Sequence, residues 1–91
     1  MRIDKFLKMA RLVKRRTAAQ EMIEVGAVRI DGRMCKSSSE VVEENSVEIA
    51  YMAKVLKVKV LCADEGLLKR PQTVAYEVLE ERQVKSDERP W

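Results

Sequence analysis

Ninety-one residues with 46% apolar side chains make one small domain with a modest core and exclude wholesale disorder. The formal charge is +3 and there is no histidine, so the commonest metal ligand and the best proton-transfer group near neutral pH are both missing; metal binding and acid–base catalysis are set aside. Residues 1–16 hold seven bases against Asp4 alone, while the remainder holds eleven bases against fourteen acids, which points to a polyanionic partner for the amino-terminal part.

The opening "MRIDKFLKMARLV" carries a charge every three or four positions and lacks the apolar run of a signal peptide or membrane span, so a cytoplasmic chain without membrane contact is expected. Ile3, Phe6, Leu7 and Ala10 fall on one stripe, predicting a helix from Ile3 to Leu12 with Arg2, Lys5, Lys8 and Arg11 around the rest. Asp4 in the first turn complements the helix dipole and reads as structural support, capping the helix and orienting nearby bases. After a short turn near Val13, Ala18, Ala19, Met22 and Ile23 predict a second helix over Thr17 to Val25, ended by Gly26. The two apolar faces pack as a helical hairpin.

Val28 and Ile30 alternate with Arg29 and lead to Asp31-Gly32, a tight-hairpin signal, with Met34 and Lys36 on the returning strand. "SSSEVVEEN" is a polar connection that turns at Glu44-Asn45 into the strand "SVEIAY". In "KVLKVKVLCA", Val58, Val60 and Cys62 alternate with Lys57, Lys59 and Leu61, a longer strand. "DEGLLKRPQT" reads as a break, "VAYEVLEERQ" as a last helix with Val74, Val78 and Leu79 inward, and "VKSDERPW" as a loose end. The expected fold is α+β: a helical hairpin on a small, curved antiparallel sheet, residues 1–63, followed by a linker and a short C-terminal helix, residues 64–91. Cys35 and Cys62 are far apart and read as reduced, partly buried thiols.

Lys14, Arg15 and Arg16 crowd the start of the second helix, where the dipole is already positive and each base costs roughly a few tenths of a kcal/mol. Two explanations stand side by side. The cations lie in a solvated turn where salt screens the penalty, or they join the helix-start amides as a phosphate site. Aromatic content is 4%, with Phe6 in the core stripe and Trp91 last, so platforms for stacking unpaired bases are missing. Glu21 and Glu24 on the second helix would repel a duplex backbone in a major groove. Recognition of folded RNA by phosphates and shape fits better.

"RIDKFLKMARLVKRRTAAQEMIEVGAVRIDG" resembles the RNA-binding domain family named after ribosomal small-subunit protein four, the αL motif. The resemblance runs through Arg2-Ile3-Asp4, Leu7, Arg11, Lys14-Arg15-Arg16, Ala18 or Ala19, Ile23, Gly26, Val28 and Asp31-Gly32, and continues in "CKSSSEV" and "SVEI" over roughly the first fifty residues. Ile3 stands for the usual leucine, Asp31 for the usual asparagine, and Glu44-Asn45 for the usual glycine–aspartate turn. With no large catalytic part attached, and with "AYEVLEER" near the end, the chain resembles the stand-alone branch of RqcP and the bacterial fifteen-kilodalton heat-shock protein, RqcP the nearer.

That resemblance implies a non-catalytic factor of ribosome-associated quality control. It would bind a stalled large ribosomal subunit through large-subunit rRNA and peptidyl-tRNA, as a monomer and without a cofactor. It would support an RqcH-type factor that tails the nascent chain with alanine. Carried over residue by residue, it implies Arg2, Lys5, Arg11, Lys14, Arg15 and Arg16 as RNA contacts, with Lys8, Gln20 and Lys36 beside them, and no metal or catalytic residue. The alternatives are a heat-shock-type recycling factor for blocked large subunits, a ribosome-assembly RNA-binding protein, or a protein-interaction module using the Lys57/Lys59 strand edge or the acidic tail.

Overall fold

The computed structural model describes residues 1–85. In chain order it contains α1 (Ile3–Met9), α2 (Arg16–Glu24), β1 (Val28–Ile30), β2 (Arg33–Met34), β3 (Ser46–Ala50), β4 (Lys54–Val60), α3 (Glu65–Leu68) and β5 (Tyr76–Gln83). The sheet is antiparallel throughout, in the order β2-β1-β3-β4-β5. This is the expected α+β architecture, a helical hairpin with a small antiparallel sheet.

The apolar stripe of α1 becomes the centre of the core. Ile3, Phe6 and Leu7 are fully buried, together with Ala19 and Ile23 of α2 and Val28, Val47, Ile49, Val58 and Val60 of the sheet. Each of these side chains larger than alanine, once out of water, contributes about 2 kcal/mol against the entropy of ordering it. In β3 and in the second half of β4 the buried residues alternate with Glu48, Lys57 and Lys59, as the period-two pattern requires.

Both helices of the hairpin end in the same hydrogen-bond pattern. In α2 the Gly26 and Ala27 amides donate to the Ile23 and Met22 carbonyls at 3.0 and 2.8 Å, with Gly26 left-handed at φ +80°. A Cβ at Gly26 would also meet Met34 Cε at 2.9 Å. In α1 the Arg11 and Leu12 amides donate to the Lys8 and Leu7 carbonyls, both at 3.0 Å, and here the left-handed residue is Arg11 at φ +62°. Helix α1 therefore stops at Met9, short of the expected Leu12. The turn after it is held by Tyr51, whose hydroxyl donates to the Leu12 carbonyl at 2.7 Å.

Asp31 and Gly32, at φ +50° and +78°, form the expected tight turn between β1 and β2. Lys36 lies beyond the end of β2, not in the strand as expected. Glu44, where the resemblance expects glycine, adopts φ +77°; its carboxylate pairs with Lys59 Nζ at 3.0 Å, and its amide donates to the Val60 carbonyl. The segment 37–41 crosses the start of α1, with the Ser39 and Ser37 carbonyls accepting from the Ile3 and Asp4 amides at 2.8 and 3.4 Å.

Two expectations for the C-terminal part are corrected. "DEGLLKRPQT" is not simply a break, because Glu65–Leu68 forms the short helix α3, with the Asp64 carboxylate accepting from the Leu67 amide at 2.9 Å. Residues Tyr76–Gln83 are not a helix but the edge strand β5, pairing with β4 along its whole length. Val58 opposes Val78, while Lys57 opposes Glu80 and Lys59 opposes Glu77, so apolar and opposite-charge cross-strand pairs select the strand. The sheet thus extends past residue 63. Of the loose end expected over 84–91, Val84 is instead buried and its amide donates to the Ala53 carbonyl, and 86–91 lie outside the described residues.

Candidate nucleic-acid interface

The hairpin is organised around one carboxylate. Asp4 is fully buried and accepts five hydrogen bonds. Arg2 donates through Nε and Nη2, each at 3.2 Å, and the Lys5 amide donates at 2.8 Å. From α2, Arg16 Nε donates at 3.2 Å and Gln20 Nε2 at 2.9 Å. Burial alone pushes the Asp4 carboxyl up, but the bonds from Gln20, Arg16 and the Lys5 amide, with the Arg16 charge, outweigh it and hold it below its ordinary value. Asp4 is not the N-cap of α1, a position held by Arg2 without a side-chain cap, so the expected capping role becomes a bridge between the helices.

Two guanidiniums share that single carboxylate. The side chains of Arg2 and Arg16 remain 45% and 43% exposed, so the pair keeps a net positive charge facing water. Lys5 differs: its ammonium meets Glu65 Oε2 at 2.6 Å. Lys8, Arg11, Lys14 and Arg15 are exposed, and no acid pairs with them among the described residues.

Arg15 is the N-cap of α2, which has no side-chain cap and no acid in its first turn. The helix-start amides and the Lys14-Arg15-Arg16 cations are thus left together at the surface, a combination that favours an anion. Gln20 and Lys36 line another open cleft together with Glu24, Met34 and Cys35. Hence Arg2, Lys5, Arg16 and Gln20 gather around Asp4 and Glu65. Lys8, Arg11 and Lys14 flank the α1–α2 turn, and Lys36 adjoins the first group through the cleft it shares with Gln20.

The sequence reading missed three residues. Lys69 lines the same open groove, of about 510 Å³, as Lys8, Arg11 and Lys14. Arg70 lines the adjoining groove with Arg11 and Lys69. Glu65 supplies the counter-charge: hydrogen bonding from Lys5, opposed by burial and aided by the charges of Lys5, Lys69 and Arg16, holds its carboxyl below the ordinary value. The signal for α3 was present as Asp64 before Glu65-Gly66-Leu67-Leu68, an N-cap residue ahead of two leucines.

Among the described residues no group of histidine, cysteine or acidic side chains could hold a metal ion, and no helix is long and apolar enough to cross a membrane. Cys35 and Cys62 are free thiols, and burial raises the Cys35 pKa.

A family model described as the S4 domain matches residues 1–47. The RQC P-site tRNA stabilizing factor of Streptococcus pneumoniae is 37% identical over 87 residues, 96% of this chain and 99% of its own. Its Bacillus subtilis counterpart is 34% identical over 84 residues, 92% and 98% of the two chains. Among solved structures, the trimeric Heat Shock Protein 15 of Vibrio cholerae superposes with a TM-score of 0.74 at 22% identity, over 86% of this chain and 80% of that one.

Proposed function

The chain belongs to the S4-domain family and, within it, to the RQC P-site tRNA stabilizing factors, and from that membership we propose that it steadies peptidyl-tRNA on a stalled large ribosomal subunit. It does so without chemistry of its own. It contacts large-subunit rRNA and the tRNA together, and so supports an RqcH-type factor that adds alanine to the nascent chain. The working surface is the hairpin: Arg2, Arg15 and Arg16 take phosphate oxygens at the start of α2, Lys8, Arg11 and Lys14 extend the surface along the turn, and Lys5, Gln20 and Lys36 border it.

The observation that carries this reading is the uncapped, acid-free start of α2 beside two guanidiniums that share one buried carboxylate. A phosphodiester there offsets a repulsion that the free protein otherwise bears. The surface is dominated by cations, which suits recognition by phosphate position and shape.

The test is co-sedimentation with large subunits from cells in which translation is stalled. The protein is expected in the heavy fraction together with tRNA; its remaining at the top of the gradient while such subunits are present refutes the assignment. A second reading is recycling of blocked large subunits without tailing; the likeness to Heat Shock Protein 15 is one of fold. Deleting the gene separates the two: loss of alanine tails supports the first, intact tails the second.

A further inference from the structure

We propose that the groove between the α1–α2 turn and α3 is a second seat for RNA phosphodiester oxygens, in which Lys69 and Arg70, outside the matched 1–47 segment, join Lys8, Arg11 and Lys14 of the hairpin. The proposal rests on the RNA-binding reading above and extends it to a part of the chain that the family match does not reach.

The groove's floor is apolar, Met9, Val13 and Leu68, and its rim is entirely basic: Lys8, Arg11, Lys14 and Lys69. No acid lines it. The nearest carboxylate, Glu65, is committed to Lys5 at 2.6 Å and reaches Lys69 only at 3.9 Å. Arg11 and Lys69 also line the neighbouring groove, of about 450 Å³, which adds Arg70. The aromatic side chain there, Tyr76, is half-buried against the core, so the surface offers charge and little to stack on. Concentrated positive charge along the rim of a groove attracts a strand of phosphates.

Two features fix the backbone that carries these cations. Helix α3 is fixed by its Asp64 cap, by the Glu65–Lys5 pair and by the Thr73 hydroxyl, which donates to the Leu67 carbonyl at 2.5 Å. Lys69 and Arg70 therefore leave a fixed turn, not a free loop. Arg11 occupies the left-handed position at the end of α1, where glycine carries no steric penalty and Gly26 serves the same role in α2. A cation kept in a strained position that overlooks both grooves is accounted for by what it binds.

The experiment uses the full chain and purified large ribosomal subunits carrying a P-site tRNA, with affinity measured between about 50 and 200 mM salt. The Lys69→Ala/Arg70→Ala double variant is expected to bind about tenfold more weakly, with a salt slope lower by about two counterions. Arg11→Gly is expected to lower affinity several-fold while raising the melting temperature, which a merely structural arginine would not do. Lys57→Ala, on the sheet, leaves affinity and slope unchanged. Wild-type affinity and slope in the double variant, alongside weakened binding by Arg16→Ala, overturn the second seat and leave the hairpin reading intact. If the wild-type chain does not bind the subunits, both fall. A loss in the double variant that is equally large after nuclease digestion of the RNA assigns the groove to an acidic protein surface and overturns the proposal.

Discussion

Helices α1 and α2 are joined by a short turn and end alike, yet they begin as opposites. The first amides of α1 are taken by the Ser39 and Ser37 carbonyls, and Asp4 in its first turn complements the dipole. At α2 the cap is Arg15, the first residue is another arginine, and no acid follows within the turn. At their far ends the same hydrogen-bond pattern takes glycine in α2 and arginine in α1. Local preference is obeyed at the start of α1 and at the end of α2. It is set aside at the two ends that meet in the turn, and there Lys8, Arg11, Lys14 and Arg15 cluster without an acidic partner among the described residues.

Removing the carboxylate that joins the two starts breaks this contrast most severely. Asp4→Asn is expected to destabilise the fold by about 2 kcal/mol, since charge-assisted bonds from two arginines are lost, and to weaken RNA binding as the guanidiniums lose their common anchor. Because the folded carboxyl lies below its ordinary 3.8, its stabilisation is complete above that pH and drains as pH falls through the folded value. Denaturant melts from pH 7 down into that range should show this acid limb in the wild type and a flatter profile in Asp4→Asn.

Next in size is Arg16→Ala, which opens the start of α2 without burying a charge. Binding to large subunits should weaken several-fold and the salt slope fall by about one, and an unchanged slope removes Arg16 from the contacts. Thr17→Glu makes α2 begin as α1 does, with an acid in the first turn. Stability should rise by about 0.5 kcal/mol while affinity falls, and a fall in both contradicts the view that this helix start is left open for a ligand. The smallest effect is expected at Glu65→Gln. Neutralising the anion that faces Lys5, Lys69 and Arg16 should raise affinity slightly, read most easily at low salt.

What could be read from the residues, and what could not, follows the range of the interactions. The Asp31-Gly32 turn, the Gly26 stop and the α1 stripe are set within a few positions, and each was legible. So was the basic run at the start of α2, though Lys5's pairing with a glutamate sixty residues away was not. Strand β5 misled because Val74 and Val78 stand four apart among leucine, glutamate and arginine, all good helix formers, and an edge strand exposed on both sides shows no alternation. The register shift between Lys57 and Val58 breaks the period of two further. Arg16 and Gln20, four apart on α2, could have suggested a shared partner, but only the folded hairpin identifies it as Asp4.

The Asp4 bridge ties residue 2 to residue 20, so the cationic surface exists only while the hairpin is closed. Whatever selects that surface also selects the native chain over its unfolded ensemble. By mass action, a ligand at a hundredfold its dissociation constant adds about 2.7 kcal/mol, a large share of the reserve of so small a domain. Heat resistance then becomes a gauge of occupancy, and the same molecule is sturdier on its target than adrift from it.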